Sequence, residues 1–347
     1  MTTHNDVVRV GLLGLGTIGV SHAKALAELR HRAQLVAFSG GDGEKAADAG
    51  WPEAVQSSPQ ELLAREDLDV IAICTPSGAH AENAFAALGS DHHAVVEKPL
   101  ALTAAEADRI VSLAESRGLS VHVISQRRLE PEVQAVRRAL EDGLLGPLRL
   151  ATTHVHWWRD ESYYSAAPWR GDARAGGGSL MNQGAHNVDL LRWLAGPVEA
   201  VTAQSATLAH EPGTEDTTVA TLRFASGALG LISTSTATPP GSPATLTLHC
   251  ARGVVEIGQG ELLRWDVDGV PAPRIDAAET GIGVGASDPA AIGIAGHVQQ
   301  WTEILDAVQE GRDSSIPGRD GAETVRLLEA ITAAAATGRT VTMDELR

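Results

Sequence analysis

Cysteine is nearly absent from the chain. Its two copies, Cys74 and Cys250, stand far apart, each inside an apolar run. That excludes a disulfide framework and a thiolate metal site, and predicts two buried thiols in a reducing compartment. Long apolar stretches are missing too: none reaches the ~20 residues that a bilayer-spanning helix needs. The opening MTTHNDVVRV also lacks the basic, apolar and small-residue order of a secretion signal. A soluble, cytoplasmic protein without a membrane partner is therefore expected. Basic residues are few, 27 Lys and Arg against 44 Asp and Glu, and the formal charge of −17 would repel a phosphate backbone or an anionic surface. Nucleic acid is excluded on that ground. No internal repeat is found. What is present is apolar content, 43 % of 347 residues, enough for two cores and too much chain for one.

The stretch AVVEKPLALT organises the first half. Ala94, Val95 and Val96 read as a buried parallel strand, and Glu97, Lys98 and Pro99 come at once after it. Ligands of open parallel sheets collect beyond the carboxyl ends of the strands, which makes Lys98 a candidate working residue. The triplet alone leaves a second reading open, a solvated lysine paired with Glu97. Upstream, a strand over 7–13 runs into GLGTIG, with Gly14, Gly16 and Gly19 spaced for a tight turn, close approach to a pyrophosphate and tight helix packing. The helical run SHAKALAEL follows, its amino terminus offering unpaired N–H groups to phosphates, and Thr17 and Ile18 in the turn join the glycines as cofactor-binding candidates. Strands and helices then alternate: strands over 34–38, 69–74 and 120–125, capping boxes at Ser58–Glu61 and Thr103–Glu106, and glycine stops at Gly89 and Gly118. This predicts a doubly wound α/β domain over 1–126. At the end of the second strand, where a ribose-binding carboxylate or a phosphate-binding arginine is expected, the chain has Ser39, Gly40 and Gly41, with Asp42 and Lys45 only beyond them. NAD and NADP both remain open, with a lean to NAD.

Beyond a helix over 131–141 the texture changes. Alternation at period two over 217–224 and 245–250 marks antiparallel strands buried on one side, so residues 127–347 are expected to form an α+β domain with a large, mostly antiparallel open sheet. Its uncovered face suits a homodimer or homotetramer. Residues 271–293 read as a long loop, and two helices close the chain; the last of them is a candidate to pack back on the first domain. Within this half lies GGGSLMNQGAHNVDLLRWLAG. On one helix Asn182, His186 and Asp189 would share a face, with Leu190, Leu191 and Leu194 buried on another. That polar face is either solvated surface or a proton-transfer site built on the histidine. His154 and His156 alternate on one strand, but with no partnering cysteine or carboxylate motif no metal site is expected.

Taken together, GLGTIG after a strand, TPSGAH, VVEKPLALT and GGGSLMNQGAHNVDLLRWL resemble the glucose-fructose oxidoreductase, inositol dehydrogenase and rhizopine catabolism family, Gfo/Idh/MocA, over essentially the whole chain. The resemblance implies an NAD- or NADP-dependent dehydrogenase acting on a secondary alcohol of a sugar, a sugar derivative or a cyclitol. Lys98 matches the lysine that touches the substrate hydroxyl and the nicotinamide ribose, and His186 matches the proton acceptor. Where many members carry aspartate four residues ahead of that histidine, this chain has Asn182, which can orient an imidazole by hydrogen bond but cannot relay a proton. Thr75, Pro76, His80 and Glu97 match loops along the cofactor, joined by Ser39 and Gly40. Trp169 and Arg170 match a pair that approaches the nicotinamide. Arg127, Tyr163 and Asp189 are further candidates for contact with substrate. Two other readings stand beside this one: a glycosidase of the same fold that uses NAD transiently, and a dinucleotide-binding regulator without catalysis.

Overall fold

The computed structural model describes residues 7–210, 213–275 and 293–347. They form two compact units, one drawn from Met1–Gln126 and Ile294–Glu323, the other from Arg127–Gly293 and Thr324–Arg347.

The first unit begins β1 (Val8–Leu13), α1 (Thr17–Glu28), β2 (Ala33–Ser39), α2 (Gly43–Asp48), β3 (Val55–Gln56) and α3 (Pro59–Leu63). It continues with β4 (Val70–Ile73), α4 (His80–Gly89), β5 (His93–Val96), α5 (Ala104–Arg117) and β6 (Val121–Val123). The six strands stand in the order β3-β2-β1-β4-β5-β6, and every pairing is parallel. This is the doubly wound arrangement, and its topological switch lies between β1 and β4. VIAI of β4 and HAVV of β5 show no alternation because helices cover both faces of the sheet. Local signals set the helix ends. Ser58 and Glu61 form a reciprocal capping box with Pro59 at the first helical position, Thr103 caps α5, and Gly118 closes α5 at φ 66°.

The second unit holds α6 (Pro131–Glu141), β7 (Leu148–His156), α7 (Glu161–Ser165), a π-helical segment Ser179–Gly184 and α8 (Ala185–Ala195). Next come the strands β8 (Val198–Ala206), β9 (Thr217–Phe224), β10 (Leu229–Ser235), β11 (Thr245–Cys250), β12 (Gly253–Ile257) and β13 (Leu262–Val267). With β14 (Val341–Thr342) they build an eight-stranded sheet, β13-β12-β11-β7-β10-β9-β8-β14, in which only the β7–β10 pair is parallel. Along β9, Ala220, Leu222 and Phe224 are buried while Val219, Thr221 and Arg223 are exposed, so one face carries the core and the other is uncovered among the described residues.

α9 (Ala295–Glu310) corrects the expected boundary. It lays Trp301, Ile304 and Leu305, all fully buried, into the core that holds Val10, Leu26 and Phe38 of the first unit. The apolar stripe of α9 covers that sheet's helical layer, so residues 294–323 belong with the first unit. α10 (Gly318–Thr337) carries the chain back into the second unit from Thr324 onward. Of the long loop expected over 271–293, residues 276–292 lie outside the described residues.

Candidate active site

The three glycines of the first turn do different work. At Gly14, φ is +100° and a Cβ would sit 2.7 Å from the Cys74 carbonyl oxygen; at Gly19 it would sit 2.0 Å from the Gly14 carbonyl oxygen. Those two glycines are required by the protein's own packing. Around Gly16 nothing among the described residues lies within 4 Å of the Cβ position, and the residue is exposed. Gly16 is also the N-cap of α1, with no side chain capping the helix and no acidic residue in its first turn. Free N–H groups at Thr17 and Ile18 beside open space form a cradle that fits a pyrophosphate.

Ser39 is buried and acts through its backbone, its carbonyl accepting from Gly14 N at 2.8 Å and Leu15 N at 3.2 Å. Gly40 and Gly41 both have φ near +75°, and at Gly41 a Cβ would meet the Leu15 carbonyl at 2.6 Å. Asp42 caps α2 by accepting from Lys45 N at 2.9 Å.

Beyond β4, Thr75 is half-buried and Pro76 exposed. His80, expected on the cofactor, is instead 1 % exposed, with Nδ1 2.7 Å from the Pro99 carbonyl oxygen and Nε2 2.9 Å from the Thr75 carbonyl oxygen, the neutral ring donating to one of the two. It latches two loops together and has no ring atom left for a ligand. Glu97 is corrected likewise. Its carboxylate is 5 % exposed, accepts from His22 Nε2 at 3.0 Å and from the Lys98 backbone N–H at 3.0 Å, and so faces the interior rather than a cofactor. Burial alone would raise Glu97; the imidazoles of His22 and His297 hold it well below the usual carboxylate range. Lys98 is half-buried, and that burial lowers its ammonium while the Glu97 charge opposes the fall.

In the second unit the chain 176–178 passes close to its own backbone. At Gly177 a Cβ would lie 2.3 Å from the Arg170 carbonyl oxygen, and Gly178 has φ +105° beside Glu215. Glu215 then caps the next turn, accepting from Ser179 Oγ at 2.6 Å and Leu180 N at 2.8 Å. That turn opens the π-helical segment, so Asn182 does not continue the helical face of α8 as the spacing predicted. Asn182 and Gln183 both donate to the Tyr163 hydroxyl, at 3.2 and 2.8 Å. Arg170 stacks 4.1 Å from the centroid of the Tyr163 ring and bonds its carbonyl; Trp169 beside it is half-buried.

His186, in the first turn of α8, is half-buried. Asp189 is not a substrate contact: it is 3 % exposed and takes a two-point hydrogen bond from Arg128 at 2.7 and 2.5 Å and a third from Thr324 at 2.7 Å. Arg127 is similarly spent, its three nitrogens bonding Glu130, Asn187 and the Gly258 carbonyl. Sequence reading missed His22, His297, Trp301 and Glu215. Only the presence of His22 among the apolar positions of α1 could have signalled the first of them.

Residues 8–125 match the model of an oxidoreductase family with an NAD-binding Rossmann fold, and residues 133–256 match the Gfo/Idh/MocA C-terminal domain. Inositol 2-dehydrogenase of Rhizobium meliloti is 32 % identical over 257 residues, 72 % of this chain and 74 % of that one. Myo-inositol 2-dehydrogenase of Thermotoga maritima is 30 % identical over 236 residues, 66 % of this chain and 68 % of that one. Among solved structures, the WlbA dehydrogenase of Bordetella pertussis in complex with NADH and UDP-GlcNAcA superposes with a TM-score of 0.86 at 32 % identity, covering 97 % of this chain and 99 % of that one. The chain belongs to the Gfo/Idh/MocA family of NAD-binding oxidoreductases.

Proposed function

We propose that the protein is a dehydrogenase that oxidises a secondary alcohol of a sugar, sugar derivative or cyclitol, with NAD as cofactor. One observation carries the reading. The open cradle at Gly16 ends β1, Lys98 comes just after β5, and both stand at the carboxyl edge of one parallel sheet, on strands separated only by β4. The bound nicotinamide supplies the hydride acceptor. Lys98 places a positive charge against the alkoxide that develops on the substrate, and His186 accepts the hydroxyl proton. Asn182 assists by orientation alone, because an amide relays no proton. The turn Ser39-Gly40-Gly41 favours NAD: the nearby Asp42 carboxylate repels a 2′-phosphate, and Lys45 is already 3.8 Å from that carboxylate.

The substrate class rests on the names of the relatives. The near-complete coverage by a dehydrogenase crystallised with UDP-GlcNAcA favours including nucleotide-linked sugar acids beside free inositols. The test monitors the reduced nicotinamide by absorbance with a panel of cyclitols, free sugars and UDP-linked sugars. Lys98→Met is expected to lower kcat by roughly 10²–10⁴-fold while NAD still binds, and His186→Ala to do the same with partial recovery at high pH. A Lys98→Met enzyme of ordinary activity refutes the assignment. Release of aglycone from a nitrophenyl glycoside without net reduction would favour the glycosidase reading instead. Copies are proposed to meet on the uncovered sheet face, where Leu150 pairs with Leu229 across the ladder, both exposed; Leu229→Glu tests it by light scattering.

A further inference from the structure

Among the described residues one buried group has the makings of a metal site: His22, Glu97 and His297, whose ligating atoms lie within 4.8 Å of one another. Hydrogen bonding decides against an ion there. Trp301 Nε1–H is a donor only, and it points at His22 Nδ1 from 2.9 Å, so Nδ1 carries no proton. The imidazole proton is therefore on Nε2, where it donates to Glu97 Oε1 at 3.0 Å. A metal bound at Nε2 needs the opposite tautomer, with Nδ1 protonated against the tryptophan N–H. The same clash keeps His22 from taking a second proton, and its burial works in the same direction. His22 is thus a neutral donor, and it aims the Glu97 carboxylate without cancelling its charge. The other carboxylate oxygen accepts the backbone N–H of Lys98 at 3.0 Å.

We propose that Glu97 is a positioning residue for Lys98, and that Trp301 and His22 exist to hold it so. Trp301 fixes the tautomer, His22 orients the carboxylate, and the carboxylate fixes the Lys98 peptide while its negative charge opposes the fall that burial imposes on the Lys98 ammonium. The relay joins α9, α1 and the β5 loop within one unit. Its kinetic consequence rests on Lys98 being the group that faces the alkoxide; its electrostatic consequence does not.

That separation makes the test clean. The chain has three lysines, Lys24, Lys45 and Lys98. In full-length protein labelled with ¹³C,¹⁵N-lysine, the Lys98 Cε–Nζ signal is assigned by its loss in Lys98→Met and titrated directly. Glu97→Gln, which keeps the shape and removes the charge, is expected to bring the Lys98 titration down by about 1 pH unit or more. His22→Ala should move it the same way, His22→Gln should recover most of the shift because its amide still donates to Glu97, and Trp301→Phe should give a smaller shift. In turnover, Glu97→Gln is expected to lose about 10- to 100-fold in kcat with the KM for NAD unchanged, and its alkaline limb should move to lower pH. An unmoved Lys98 signal in Glu97→Gln overturns the proposal whatever the activity. A moved signal together with an active Lys98→Met upholds the relay and removes the catalytic reading. One equivalent of zinc retained by the purified protein and lost in His297→Ala overturns the tautomer assignment, and the proposal with it. Should Trp301→Phe fail to fold, the isosteric Glu97→Gln and the His22→Gln pair decide alone.

Discussion

Glu97 and Asp189 are both buried carboxylates, 5 % and 3 % exposed, one in each unit, and they are used in opposite ways. Asp189 faces a full cation. Arg128 grips it at two points, Arg128 itself stacks 5.5 Å from the Trp193 ring centre, and Thr324 fills a further acceptor site. Burial is overcome by these contacts, and the carboxyl is held down at about 2. Arg192 adds a second cation 4.0 Å from the same carboxylate, so the charge of Asp189 is matched on the spot. Glu97 is held by the neutral His22 imidazole and by a peptide N–H, with His297 Nε2 3.8 Å from the same oxygen that His22 serves, so its charge is oriented but not cancelled by the two hydrogen bonds. A carboxylate spent on a guanidinium is structural; one aimed by neutral donors still has a field to lend.

The largest effect expected from this comparison is on stability at Asp189. Removing it breaks the two-point pair with Arg128, itself 1 % exposed, and breaking a buried pair from one side costs on the order of 3–5 kcal/mol. Asp189→Ala should therefore lower the urea midpoint sharply, whereas Glu97→Gln should lose turnover first. A stable, inactive Asp189→Ala would break the distinction and return Asp189 to the substrate site. The same carboxyl, depressed below its unfolded value of 3.8, contributes stability that is complete above pH 3.8 and is lost as pH falls toward 2.

The glycine turn allows a second contrast of the same kind, smaller in size. Gly19→Ala drives a Cβ to 2.0 Å from the Gly14 carbonyl and should destabilise the cofactor-free protein by about 2 kcal/mol or more. Gly16→Ala meets nothing, so the cofactor-free melting temperature should hold within about 1 °C while NAD binding weakens. Melting curves with and without NAD read both. Equal losses of stability in the two variants would mean that Gly16 too serves packing rather than a ligand.

How much of the molecule the sequence made legible depends on the distance over which each signal acts. The dinucleotide turn, the strand before Lys98 and the helix caps are local, written within a few residues by glycine spacing, apolar runs and capping pairs. The Glu97 relay is not. His22 and Glu97 stand 75 positions apart, and His22 and Trp301 279 apart, so only folding brings the tryptophan N–H to the imidazole. Asp189 escaped sequence reading for a related reason: spacing on a helix assigns a face, but the partner of that face, Arg128, lies 61 residues earlier. The π-helical turn at Ser179–Gly184 broke the expected register for a cause visible only in three dimensions, the Glu215 carboxylate capping it from β9's approach.

Glu132, on the first turn of α6, sharpens the comparison from the other side. It is fully buried, and among the described residues neither carboxyl oxygen has a hydrogen-bond partner, so it is a carboxylate that is neither paired nor aimed. Burial, reinforced by the neighbouring Glu130 charge, pushes it up to about 7. For an acid raised in the folded state the sign is the reverse of Asp189. Below the unfolded value of 4.5 both states are protonated and Glu132 costs nothing; between 4.5 and 7 the unfolded chain ionises while the folded one resists, and above 7 the full penalty applies. Glu132→Gln removes the ionisation and keeps the shape, so it should raise the melting temperature by about 3 °C above pH 7 and leave it unchanged near pH 4. A gain of equal size at both pH values would mean that packing, not charge, sets the cost at this position, and the ordering of the three carboxylates by what holds them would then rest on Asp189 and Glu97 alone.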